Sequence, residues 1–239
     1  MTIALVTGAN KGIGREIAAQ LAERGLTVVL AARSKDRGDK AAAELGLQTV
    51  VMDVTDPASV RDAALRIKED HGRLDVLVNN AGISGDPDRQ RPGTADTDLV
   101  RTVFETNVFG VITVTEAMLP LLRHSSAPRI VNVSSSVGSL TDQTDPAHYF
   151  ANMPASVAYA SSKAALNMVT VQYAKALGGQ GFRINAVTPG PCDTDFTRSL
   201  GFNLTRTAAD GAAVAVNLAT IDDNGPNGAF FDDRGPAPW

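Results

Sequence analysis

Short runs of aliphatic and β-branched residues alternate with longer amphipathic stretches along the whole chain. The runs fall at residues 3–6, 27–31, 49–52, 76–79, 129–133, 184–187 and 229–231. Most are apolar at every position rather than at every second one. That pattern predicts parallel strands covered on both faces. Between the first two runs, Ile13, Ile17 and Leu21 share one helical face, and Gly25 follows as a C-terminal cap. Asp56-Pro57 reads as a cap with proline in the first turn, opening a helix to about Asp70. Longer helical patterns cover 97–123 and 156–177. The polar stretch 84–96 and the Pro/Gly-rich tail 225–239 read as surface loops or ends. Strand–helix repetition from end to end predicts an α/β, single-domain, Rossmann-type doubly wound parallel sheet of about seven strands, flanked by helices on both faces and spanning 1–239.

The first strand runs into Thr7-Gly8-Ala9-Asn10-Lys11-Gly12-Ile13-Gly14, which opens the first helix. Glycines there let the backbone turn sharply and let a phosphate approach the free N–H groups of the helix start. Further on stand Asn79-Asn80-Ala81-Gly82, Asn107 within the long helical pattern, Asn132-Val133-Ser134-Ser135, Tyr159-Ala160-Ser161-Ser162-Lys163, and Pro189-Gly190 with Thr194. In a helix, Tyr159 and Lys163 share a face, so phenol and ammonium point the same way. An ordinary tyrosine titrates near pH 10, and a neighbouring lysine charge favours its phenolate. Such a pair serves as an acid–base centre. Lys163 is also the only charge between Ser156 and Gln172, which speaks against an ordinary solvated face.

This ordered set resembles the short-chain dehydrogenases/reductases over nearly the whole chain. The wide Gly8-x-x-x-Gly12-x-Gly14 spacing resembles the family's cofactor loop, and Asn10-Lys11, the ending Asp223-Asn224-Gly225-Pro226-Asn227-Gly228-Ala229-Phe230 and the lengthened segment between Ser135 and Tyr159 are similar to its carbonyl reductase branch. The resemblance implies reduction of an aldehyde or ketone. Tyr159 would donate the proton, Lys163 would assist it, and Ser135, rather than Ser134 or Ser136, would hold the substrate oxygen. Asn107 would hold a water linking Lys163 to solvent; a plain buried amide is the alternative. The cofactor would lie against Gly8, Asn10, Lys11, Gly12, Ile13 and Gly14. Asp53 and Val54 would contact its adenine, although Asp53 is equally suited to turn chemistry. Asn80, Ala81 and Gly82 would run beside the ribose. Pro189, Gly190 and Thr194 would receive the nicotinamide, with Tyr159 and Lys163 facing it. Pro191-Cys192-Asp193 is less typical of the family. The alternatives are oxidation of a hydrophobic secondary alcohol, and a non-catalytic NADP(H)-binding sensor or scaffold of the same fold.

The second strand ends Ala31-Ala32-Arg33, with no acid to accept ribose hydroxyls. Arg33 and Lys11 instead suit a 2′-phosphate, so NADPH (NADP+) is the expected cofactor. An insertion at 139–156, with Tyr149, Phe150 and Met153, and a covering segment at 195–207, with Phe196, Leu200, Phe202 and Leu204, would wall an apolar substrate pocket. His71 and His124 read as helix-end residues, and His148 as a loop residue near the pocket.

Other properties narrow the partners. A net charge of −4 argues against nucleic acid, and His71, His124 and His148 lack metal-ligand spacing. The single cysteine, Cys192, forms no intrachain disulfide, so a reducing, cytoplasmic setting suffices. No apolar run reaches the roughly 20 residues that span a bilayer. The helices around 108–122 and 156–172 carry few charges, so something must cover them. The insertion is expected to do so, which favours a monomer over a homodimer.

Overall fold

The computed structural model describes residues 1–198, 200–201 and 203–239; Phe202, expected in the pocket wall, lies outside them. Its strands are β1 (Ile3–Thr7), β2 (Thr27–Ala32), β3 (Gln48–Val51), β4 (Val76–Asn79), β5 (Arg129–Val133), β6 (Arg183–Val187), β7 (Phe230–Asp232) and β8 (Gly235–Pro236). They form one sheet in the order β3-β2-β1-β4-β5-β6-β7-β8, parallel except for the β7–β8 pair. The helices are α1 (Gly12–Glu23), α2 (Lys35–Leu45), α3 (Pro57–His71), α4 (Thr97–Phe104), α5 (Gly110–Leu122), α6 (Leu140–Thr144), α7 (Tyr159–Leu177), α8 (Asp195–Arg198) and α9 (Ala208–Ala219).

The unbroken apolar strands have a direct cause. Ile3 and Leu5 point into a core shared with α3, α5 and α7, whereas Ala4 and Val6 point into a second core shared with α1, α2 and α9. The same division separates Leu77 from Val76 and Val78. Each face is therefore dry, and the strand has no polar side to show. Leu5 and Leu77 are fully buried; truncating either to alanine would cost about 2–5 kcal/mol.

The chain reverses direction across the sheet between β1 and β4, which opens a crevice at the carboxyl ends of those strands. The predicted 97–123 helix runs from α4 to α5 but passes through a π-helical turn at Glu105–Phe109, which carries Asn107. Four of these helices, the short α6 and α8 and the longer α2 and α9, have no counterpart in the sequence reading. Helix α2 buries only Gly38, Ala41 and Ala42, and α9 buries mainly alanine and valine.

The tail is more ordered than a loop. Phe230 stacks on Trp239 with ring centroids 5.4 Å apart, and the Trp239 main-chain oxygen accepts the Thr141 N–H at 2.9 Å. The insertion does not cover the apolar helices as expected. Its aromatic residues cluster on one another, with His148, Tyr149 and Phe150 centroids 4.4–4.5 Å apart, and it forms a wall of the crevice. Phe109 and Met168, on the π turn and on α7, remain about half exposed.

Candidate active site

The crevice is a single cleft of about 1910 Å³. The glycine loop forms one end. Gly8 and Gly12 have φ of 63° and 57°, left-handed values that glycine adopts without strain. Contact explains the rest. A Cβ on Gly8 would lie 2.9 Å from the Ala81 Cα, and one on Gly14 would lie 2.2 Å from Asn80 Nδ2 and 2.7 Å from the Gly8 oxygen. Asn80 locks the loop to β4 by donating Nδ2 to the Thr7 and Gly8 carbonyls, at 2.9 and 3.2 Å. Helix α1 begins with no side-chain cap, so its first-turn amides and positive dipole end face the cleft unsatisfied. An anion fits there.

Past β2, Arg33 lines the same end, and among the described residues it has no hydrogen bond or ion pair. Lys11 differs from expectation. Its Nζ pairs with Asp195 Oδ2 of α8 at 2.9 Å, so the lysine straps the glycine loop to the opposite wall. The Asp53 carboxylate partly follows the turn alternative, since Oδ1 accepts the Thr55 N–H and hydroxyl. Oδ2 has no partner among the described residues. Val54, Ala81, Gly82, Pro189, Gly190 and Thr194 all line the cleft, as do Asn10 and Ile13. The Thr194 methyl rests near Gly12, and its N–H donates to Thr197 Oγ1.

At the middle of the cleft, three adjacent serines take three different positions. Ser134 is buried, donating to Asn167 Oδ1 at 2.6 Å. Ser136 faces the Tyr149 phenol. Ser135 faces the Tyr159 phenol, and its Oγ accepts the Val137 N–H at 3.4 Å. Lys163, one turn further along α7, places Nζ 5.7 Å from the Tyr159 ring centroid and donates to the Val133 carbonyl at 2.9 Å. The ring of Phe196 stands 5.7 Å from that of Tyr159. Leu140, Met153, Leu200 and Leu204 complete an apolar wall.

The electrostatics correct one expectation. Burial pushes the Tyr159 phenol up to about 12, against the opposing pull of the Ser135 hydroxyl. Burial also pushes Lys163 down to about 8. The lysine does not pull the phenol below its ordinary range, because the ammonium lies over the ring face and is engaged by a carbonyl. At neutral pH the phenol keeps its proton.

Asn107 is fully buried and does not line the cleft. Its Nδ2 donates to the Ile83 carbonyl at 2.9 Å and to Ser162 Oγ at 3.0 Å, and its Oδ1 accepts the Ile83 N–H. That is the backbone-bonded amide held open as the alternative, although Oδ1 also borders Gly82 beside Lys163 Nζ. Cys192 is buried, and burial raises its thiol, so it is no nucleophile. His148 caps a short turn through Nδ1 and lies outside the cleft. One buried residue was invisible in the sequence: Gln90, inside the charged stretch 84–96, which reaches α7.

A doubly wound sheet with a glycine loop at its switch point, and a half-buried serine–tyrosine pair with a buried lysine beside that loop, defines an oxidoreductase site. A family model described as short chain dehydrogenase matches residues 2–204. The chain is 33% identical to (+)-neomenthol dehydrogenase of Capsicum annuum, covering 95% of this chain and 94% of the relative. It is 35% identical to salutaridine reductase of Papaver bracteatum, covering 97% and 94%. Among solved structures, NADPH-bound carbonyl reductase from chicken fatty liver superposes with a TM-score of 0.85 at 27% identity, covering 100% of both chains. The chain belongs to the short-chain dehydrogenase family, and the protein is an oxidoreductase of the carbonyl–alcohol class. No helix among its described residues is long and apolar enough to cross a membrane.

Proposed function

We propose that the protein reduces a small, largely apolar aldehyde or ketone with NADPH, using Tyr159 as the proton donor. The observation that carries this reading is the convergence of the Ser135 hydroxyl, the Tyr159 phenol and the Lys163 ammonium at the middle of the cleft. A carbonyl oxygen entering there would sit between the two hydroxyls. Ser135 donates to that oxygen and holds it, and Tyr159 transfers its proton as negative charge develops. A positioned acid of this kind contributes about 10²–10⁴ in rate.

The nicotinamide would supply the hydride when bound. Gly8, Gly12, Ile13, Gly14 and the open start of α1 suit its pyrophosphate, and Arg33 suits the 2′-phosphate. Pro189, Gly190 and Thr194 suit the nicotinamide, and Asn80, Ala81, Gly82, Asp53 and Val54 the adenosine half. Lys163 retains Nζ protons for the ribose, and Asn107 backs the centre through Ser162. The NADPH-bound carbonyl reductase supports the cofactor, and its name and that of the salutaridine reductase support the reductive direction. So does a phenol that stays protonated at neutral pH. The walls formed by Phe196, Leu140 and Met153 suit an apolar substrate body.

Tyr159→Phe tests the reading. NADPH oxidation with a panel of aromatic and cyclic ketones should fall at least about 10²-fold, while NADPH affinity stays within about twofold. A variant keeping more than a tenth of the wild-type rate would overturn it.

A further inference from the structure

Tyr159 is the first residue of α7, and this gives it a free backbone N–H. The preceding residue, Ala158, has no side chain that could cap it. The cap comes from 69 residues away: Gln90 Oε1 accepts the Tyr159 N–H at 3.0 Å and also accepts the Ser156 hydroxyl. The amide nitrogen of Gln90 donates to the Ser84 and Asp86 carbonyls, each at 3.1 Å, and its own carbonyl accepts the Val157 N–H at 3.1 Å. Gln90 is 3% exposed. On the far side, the Tyr159 carbonyl accepts Ser162 Oγ at 2.7 Å, and Ser162 is held in turn by Asn107. The Tyr159 N–H is thus gripped from outside its own helix, and its carbonyl by a serine of the same helix whose hydroxyl Asn107 holds from outside.

We propose that Gln90 is a positioning residue for the reaction, fixing the Tyr159 phenol relative to Ser135 by anchoring the start of α7 to the loop after β4. The proposal rests on Tyr159 being the proton donor. The phenol lies at the end of a short side chain rooted in the anchored residue, so a small tilt of the first turn moves the donor. A displacement of about 1 Å from productive geometry can cost roughly 10²-fold in rate. Both Gln90 donors end on carbonyls of residues 84–86, and Ser84 and Gly85 line the cleft. The same side chain therefore registers the cofactor half of the cleft against the catalytic helix.

Two variants test this. Gln90→Leu removes the acceptor and should lower kcat by about 10–100-fold, with the KM for NADPH within about twofold. Gln90→Glu tests position even if the leucine variant fails to fold. A buried carboxyl facing two carbonyls is neutral at low pH, and then accepts from Tyr159 N–H and donates to a carbonyl as glutamine does. Once ionised it repels those carbonyls. The charged groups around it are fixed: Arg89 pairs with Asp96, Arg91 with Asp88, Asp86 bonds the Asp88 N–H, and Lys163 bonds Val133 on the neighbouring face. The Glu variant should therefore gain a limb in its kcat profile, active at acidic pH and failing as pH rises, that wild type lacks below about pH 8. Wild-type-like kcat in both variants would overturn the proposal. So would parallel losses in kcat and NADPH binding without the new limb, which would mark a merely structural role. If Tyr159→Phe is itself active, the proton-donor reading has failed. If it is inactive while both Gln90 variants behave as wild type, only the Gln90 role has failed.

Discussion

Replacing Arg33 with alanine tests how the protein would tell NADPH from NADH. Arg33 lines the cleft beyond β2 with no partner among the described residues, so its guanidinium can turn to a 2′-phosphate without breaking a described bond. Charge-assisted hydrogen bonds of this kind contribute about 1.5–3 kcal/mol, or roughly 10–100-fold in affinity. Lys11 should contribute less, because it must first leave Asp195. That pair is 2.9 Å long with both side chains more than 60% exposed, and such surface pairs contribute at most about 1 kcal/mol. The expected result for Arg33→Ala is a loss of about 10–100-fold in kcat/KM for NADPH, with NADH unchanged. Asp195→Asn should do the opposite on a smaller scale, improving NADPH affinity by up to about fivefold as Lys11 is released. Steady-state kinetics with each cofactor at fixed salt provide the assay. If Arg33→Ala lowers NADPH and NADH use equally, Arg33 does not read the 2′-phosphate and the assignment is wrong.

Two further outcomes follow from the site. With Tyr159 at about 12 and Lys163 at about 8, carbonyl reduction should be steady below pH 8 and decline above it as the lysine loses its charge. The reverse reaction should rise over the same range; a reductive rate that climbs from pH 7 to 9 would contradict both. Gly14→Ala forces a methyl against Asn80 and the Gly8 carbonyl, so calorimetric NADPH titration should give at least about tenfold weaker binding, and an unchanged affinity would show that the loop can yield.

Most strands were legible because they are apolar at nearly every position, and they are so because two separate cores draw on alternate residues. The glycine loop and the Tyr159–Lys163 spacing were legible because short-range backbone and helix geometry dictate them. Helix α2 was not, since Lys35–Leu45 buries only glycine and alanine and offers no apolar stripe. The α9 start did carry a signal, for Thr207 and Asp210 form a capping box. The roles of Lys11 and Gln90 were out of reach. Each depends on a partner far along the chain, Asp195 in one case and Tyr159 in the other, and no local pattern encodes such a meeting. The Tyr159 proton affinity was misjudged for a related reason: burial is a property of the assembled cleft, and here it outweighs a lysine that faces the ring.

The stacked Trp239 makes the molecule its own reporter. It is the sole tryptophan of the chain, and its main chain is tied to Thr141 at the start of the α6 wall while its indole lies on Phe230. Any inward shift of that wall onto a substrate would pull on the bond and disturb the stack. Intrinsic fluorescence excited at the indole should therefore follow closure of the substrate half of the cleft in real time, without a label and in the unmodified protein.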